Sequence, residues 1–215
     1  MLDTPGVEGD CYVFVDGDAE VIPGSIQALA RLLTDHPQAN CAAGLPCNGR
    51  RAPEYRRQMM ATHGMFGDLY ALDGGFVARL RNSGIRLPED LIGDDSLIGA
   101  LAKTGLASED EWDEDRLLPC IEAGFLCEPT RLLSAASTIN QYRRMTSYSI
   151  RHFQNAIVSA IMRDSGPAGL PRSMAELYEE WLPRFVPRRH SLWWWFDVRA
   201  LARMRANCAA LPGSP

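Results

Sequence analysis

No pair of cysteines in this chain has the Cys-x-x-Cys spacing, so a zinc site is poorly supported. The six cysteines stand at 11, 41, 47, 120, 127 and 208. Two of them fall in strand-like runs, which suits buried, reduced thiols and a cytoplasmic location. No apolar run approaches the roughly 18 residues that a membrane-spanning helix needs. The opening residues, MLDTPGVEGD, are acidic and lack the apolar stretch of a signal peptide. Basic charge is not in excess either. The formal net charge is −5 and the isoelectric point about 5.4, so no global field favours nucleic acid as a partner. Internal repeats and low-complexity segments are absent as well. What remains is a chain of 215 residues, 46% hydrophobic. That is enough to bury a substantial core in one large domain, or in one and a half small ones.

The most informative stretch is CYVFVDGDAEVIP, from Cys11 to Pro23. Its first five residues are short, apolar and rich in β-formers, which predicts a buried strand of a parallel sheet. The strand would deliver Asp16 and Asp18 at its carboxyl end, where open α/β sheets place their ligands. Two hard oxygen donors there suit Mg²⁺ or Mn²⁺. The competing reading is a plain Asp-Gly turn. A simple hairpin is disfavoured, because residues with helical spacing (Ile26, Ala28, Leu29, Leu32, Leu33) follow.

Further along, the pattern predicts a helix over 25–35 and a strand over 40–46, then a basic loop over 47–57 with arginines at 50, 51, 56 and 57. Such a loop is either solvated or a mobile cationic loop near a diphosphate. Residues 58–70 read as a Met-rich helix. Leu72 to Leu80 is an apolar run entered through Gly74 and Gly75, and paired glycines of this kind mark a close approach of the backbone. A helix is expected from Asp95 to Lys103, with Leu97, Ile98, Leu101 and Ala102 on its inner side and Gly105 at its end. The run SEDEWDED reads as a solvated acidic loop, and a strand is expected around residues 124–127. After Ser134 the chain should turn helical, through Gln141 to Arg163, with Met145, Ile150, Phe153, Ile157 and Ile161 inward.

Two further places carry chemistry. Asp94 and Asp95 stand at a helix start, where one carboxylate suffices for capping. The second is surplus, and can take a proton from an attacking hydroxyl. Gln141-Tyr142-Arg143-Arg144-Met145 opens the long helix with two guanidinium groups. These are poorly placed for the helix dipole, but they suit a bidentate grip on diphosphate oxygens.

These three sites, in this order, resemble family-2 glycosyltransferases. VFVDGDAEVIPGSIQAL is similar to that family's strand–DxD–helix segment. IRLPEDLIGDDSLIGALAKTG is similar to its acidic-pair segment, and QYRRM resembles the QxxRW motif of its synthase-like members. The likeness runs from about Gly9 to about Ala156. It implies an α/β fold, a partial GT-A (Rossmann-like) mixed sheet flanked by helices with a helical C-terminal tail. The domains would be 1–163, a partial GT-A domain, and 164–215, a Trp/Arg-rich helical extension. It also implies roles. Asp16 and Asp18 would ligate Mn²⁺ or Mg²⁺ against the diphosphate of a nucleotide-sugar. Asp95 would be the general base, supported by Asp94. Gly74 and Gly75 would shape the acceptor side, and Gln141 and Arg144, with Arg143 beside them, would bind the donor. The transfer would be metal-dependent and inverting, to a saccharide, lipid or small-molecule acceptor. Two departures are visible: Met145 replaces the motif's Trp, and the family's upstream βα units, which hold the base and ribose, have no counterpart before Gly9.

Two other classes compete. A truncated domain kept as an interaction module would need no chemistry, and the Trp-rich tail suits it. A haloacid-dehalogenase-type phosphatase would use Asp16 as nucleophile, Asp18 as acid/base and Asp94 or Asp95 on Mg²⁺. It leaves QYRRM unexplained, and Glu20 stands where that family wants Thr or Val. The tail itself, with Trp181, Trp193, Trp194 and Trp195 among arginines, either covers the catalytic domain or makes peripheral contact with an anionic membrane surface.

Overall fold

The computed structural model describes residues 7–127 and 135–209. The chain divides into two compact units. The first comprises Met1–Ile85 and Asp94–Pro129, and the second Arg86–Gly93 and Thr130–Pro215. The long helix thus groups with the C-terminal segment. The chain also leaves the first unit for eight residues and returns.

The first unit is α/β. Its strands are β1 (Cys11–Val15), β2 (Ala19–Val21), β3 (Cys41–Pro46), β4 (Leu69–Asp73) and β5 (Leu117–Cys127). They form one mixed sheet in the order β1-β4-β3-β5-β2. Only β3 and β5 run parallel; the other pairs are antiparallel. The sheet therefore corrects one expectation. β1 is not a buried parallel strand but an edge strand, paired antiparallel with β4 from Cys11↔Asp73 to Val15↔Leu69. Its residues are only half-buried and Val15 is exposed. An apolar five-residue run does not by itself distinguish a central strand from an edge strand that is covered on one face.

Helix α1 (Ser25–Asp35) has the expected bounds. It lays Ala28, Leu29 and Leu33 against Ala42, Leu69, Ala71, Ala123 and Phe125 of the sheet. Burying Leu29 completely is worth about 1.5–3 kcal/mol. Helix α2 (Ala52–Thr62) takes up part of the expected basic loop, since Pro53 lies in its first turn, where a missing N–H costs nothing. The Met-rich stretch accordingly stops being helical at Thr62, and β4 begins at Leu69. The apolar run after it divides between β4 and helix α3 (Gly74–Ser83), because Asp73 caps that helix by accepting from Phe76 N at 2.9 Å. Helix α4 (Asp94–Thr104) buries the four residues expected on its inner side. Asn40, at the start of β3, links elements: its Nδ2 donates to Ala102 O at 2.7 Å and its Oδ1 accepts from Arg79. The acidic loop is exposed at Glu109, Asp110 and Glu111, but Glu114 is pinned by the buried ammonium of Lys103.

The second unit is helical. Helix α5 (Ala135–Asp164) begins directly after Ser134, as expected, but QYRRM lies six residues inside it and is not its opening turn, so the dipole argument fails there. Ile150, Phe153 and Ile157 are buried as expected, while Met145 and Ile161 are half-buried. The break at 166–169 is a 3₁₀ turn. Helix α6 (Tyr178–Trp181) is a single turn, and α7 (Ser191–Ala209) closes the described chain. The excursion Arg86–Gly93 is held here by Asp90, whose carboxylate accepts from the backbone of Met174 and Ala175. Gln154 binds the same segment, accepting from Ile92 N at 2.8 Å and donating to Asp90 O at 2.9 Å.

Candidate functional site

The end of β1 and the start of β4 coincide because the two strands are antiparallel. Asp16 N donates to Asp68 O at 3.1 Å, which continues the ladder by one residue. The chain then turns, with Ala19 N donating to Asp16 O at 3.1 Å. The triplet Asp16-Gly17-Asp18 is therefore a turn, and also part of a carboxylate cluster. Asp16, Asp18 and Asp68 each offer an oxygen, and these oxygens all lie within 4.8 Å of one another. β2 then pairs with β5 and not with β1, so no hairpin forms.

Sequence reasoning missed Asp68. Its signal, a Gly-Asp just before an apolar run, acquires meaning only once β4 is known to run antiparallel to β1. Burial raises the Asp68 carboxyl above the usual range, against a lowering hydrogen bond from the Cys127 thiol, whose Sγ lies 3.3 Å from Oδ1, and the charges of Asp16 and Asp18 add to the rise. Cys127 ends β5, and its backbone is clamped on both sides by Asn48, with Nδ2 donating to Cys127 O at 2.8 Å and Oδ1 accepting from Cys127 N at 2.9 Å. Next to Asn48, the Cys47 sulfur accepts from Arg56 at 3.4 Å.

The acidic pair belongs to the same unit. Gly67, one residue before Asp68, lies against Asp95: a Cβ there would come within 3.3 Å of Asp95 Cβ. Tyr70, on β4 two residues after Asp68, stacks on Phe14 with ring centres 4.8 Å apart. Burial raises its phenol well above the ordinary value, and the charges of Asp94, Asp95 and Asp16 push the same way. Asp94 is exposed and Asp95 is buried. Asp94 Oδ1 accepts from Asp95 N at 3.1 Å, the adjacent amide and not the N2 or N3 amide that a side-chain cap takes, because Asp94 is already the first helical residue. Asp95 is the buried carboxylate of the pair.

The other expected site residues lie elsewhere. Gly74 and Gly75 follow the far end of β4, beside Cys11, four residue steps or about 13 Å along the strand from the Asp16 end. Gly74 does mark a close approach, but to backbone: a Cβ would fall 2.3 Å from Gly9 O, and Gly74 N donates to Asp10 O. Gln141, Arg143 and Arg144 are exposed on α5, in the second unit. Between them, Tyr142 packs edge-on to Trp195 with ring centres 5.6 Å apart. In comparisons with known proteins, no family model matches the chain, and no curated protein matches it.

Three carboxylates converging at one end of a sheet are a fitting donor set for a hard divalent cation. The half-buried Cys127 thiol contacts Asp68, but the three clustered donors are all carboxylate oxygens, which suits Mg²⁺ or Mn²⁺. No helix of the described residues is long and apolar enough to cross a membrane.

Proposed function

We propose that this chain is a metal-dependent glycosyltransferase. It would move a sugar from a nucleotide-sugar to an acceptor hydroxyl with inversion, on a partial GT-A sheet. One observation carries the reading: Asp16, Asp18 and Asp68 converge at the same end of the sheet as the Asp94-Asp95 helix start. Asp16, Asp18 and Asp68 would hold Mn²⁺ or Mg²⁺, which would supply positive charge against the diphosphate leaving group. The buried Asp95 carboxylate accepts the proton of the attacking hydroxyl, and Asp94, by holding Asp95 N, fixes the start of the helix that presents it. Gln141, Arg143 and Arg144 enter this reading as donor contacts through their motif alone.

The experiment is nucleotide-diphosphate binding, followed by release of nucleotide diphosphate from nucleotide-sugars, with and without Mn²⁺. Asp16→Ala and Asp18→Ala should abolish the metal-dependent binding. Asp95→Asn should keep binding and lose transfer by about a hundredfold or more. Metal-independent binding in all variants would sink the proposal. Phosphate release from simple phosphomonoesters would favour a phosphatase, and absence of any nucleotide-diphosphate binding would favour an interaction module.

A further inference from the structure

Residues 181–209 contain arginines at 184, 188, 189, 199, 203 and 205 and a single acid, Asp197, in a chain whose formal net charge is −5. That one acid is out of play at the surface. Asp197 is fully buried and accepts from the backbone and guanidinium of Arg188. Arg188 itself lies over the Trp193 ring at 4.2 Å, and Arg184 is paired with Glu180. Among the described residues, no carboxylate pairs with Arg199, Arg203 or Arg205.

Helix α7 buries Phe196, Ala200, Leu201 and Met204 along one stripe. Its other side does not turn polar as a solvated helix face does. Leu192, Trp194, Trp195 and Val198 are exposed, and so is Val186 in the loop before the helix, at 78%. Arg199 extends over Trp195 at 3.9 Å, so its charge is carried on an exposed aromatic surface. Exposed tryptophan and aliphatic side chains flanked by arginine, with the only acid neutralised inside, are the composition of an interfacial helix. A water-facing helix does not gain from exposing two indoles, and a second copy docked by the same face would set Arg199, Arg203 and Arg205 against their own like charges.

The geometry points to α7 and the loop before it as a docking surface for an anionic lipid bilayer. Trp194, Trp195, Leu192 and Val198 would enter the headgroup region, and Arg199, Arg203 and Arg205 would face the acidic lipid charge. The inference does not depend on the reading of the carboxylate site.

The test is co-sedimentation of the full chain with vesicles of phosphatidylcholine alone or with about a third phosphatidylserine, with tryptophan emission read in parallel. Binding to the anionic vesicles with a blue shift is expected, lost at high salt and absent on the neutral ones. Arg199→Gln, Arg203→Gln and Arg205→Gln should each weaken binding about fivefold, and the triple variant about a hundredfold. Trp194→Ser/Val198→Ser, at two exposed positions and with unchanged far-ultraviolet circular dichroism, should abolish the blue shift. Equal binding to neutral vesicles, no binding to anionic ones, or wild-type binding by both sets of variants would overturn the inference. So would concentration-dependent dimerisation lost in Trp194→Ser/Val198→Ser without vesicle binding, which would assign the surface to a second copy.

Discussion

Asp68→Asn should make the metal-free protein more stable and the metal-loaded protein less so. The substitution keeps the shape of the side chain and leaves an oxygen to accept from the Cys127 thiol. What it removes is one of three like charges whose oxygens lie within 4.8 Å of one another. At that distance a pair of unit charges repels by about 0.9 kcal/mol in water and about 3.5 kcal/mol at an effective dielectric constant of 20. Asp16 and Asp18 are exposed, which keeps the sum near the lower bound, about 1–2 kcal/mol. For a chain of this size that is a rise in melting temperature of about 2–8 °C. Metal reverses the order. At a hundred times its dissociation constant, Mn²⁺ bound only to the folded state adds about 2.7 kcal/mol to the wild type. If loss of the third carboxylate weakens binding about a hundredfold, the same concentration adds only about 0.4 kcal/mol to the variant. Thermal unfolding of both proteins with EDTA and with a Mn²⁺ titration reads both effects. An equal metal-induced rise in the two would refute the three-carboxylate site, and a metal-free variant that melts below wild type would refute the repulsion argument.

Gly74→Ala should cost about 2 kcal/mol or more in a urea titration, because its Cβ would meet backbone at Gly9 and Asp10, which cannot rotate away. Asp90→Ala strips the acceptor from two backbone N–H groups, at Met174 and Ala175; a loss of about 2–4 kcal/mol is expected in the same assay. Acid should destabilise the second unit in two steps, read by circular dichroism at constant ionic strength. Burial, then the Arg188 charge, lower His152, so the unfolded chain takes up that proton first and stability falls as pH drops below about 6.5. Burial works against ionised Asp197, yet hydrogen bonds from Arg188 and Ser149 hold it below the ordinary carboxylate range. Its contribution is present above about pH 3.8 and is lost as pH falls further. Asp197→Asn should remove the second step and leave the first.

Periodicity made the helices legible where a polar face and an apolar face alternate cleanly. Ser25–Asp35 and Asp94–Thr104 match their expected spans to within a residue, and their inner faces are the buried ones. The errors share a physical origin in pairing. Nothing local in Cys11–Val15 tells an edge strand from a central one, so its antiparallel partner was not foreseen. Asp68, which owes its place to that partner, was not foreseen with it. The loop expected over 47–57 is helical from Ala52 onward, because Pro53 sits in a first turn, where proline is tolerated. The DxD triplet was framed as either a turn or a metal site, while the backbone makes it a turn whose side chains gather with a third acid.

The eight-residue excursion, Arg86–Gly93, changes what it means to take the protein apart. The chain passes between its two units at 85/86, at 93/94 and again at 129/130, so a single proteolytic nick at any one of these places leaves them covalently joined. A truncation after Cys127 would keep every strand, yet strand Asp90 and Ile92 without Met174, Ala175 and Gln154. The sheet unit therefore has no clean excision by one cut. The junction at 93/94 falls immediately before Asp94 and Asp95, so the helix that carries the acidic pair starts where the chain re-enters the sheet unit.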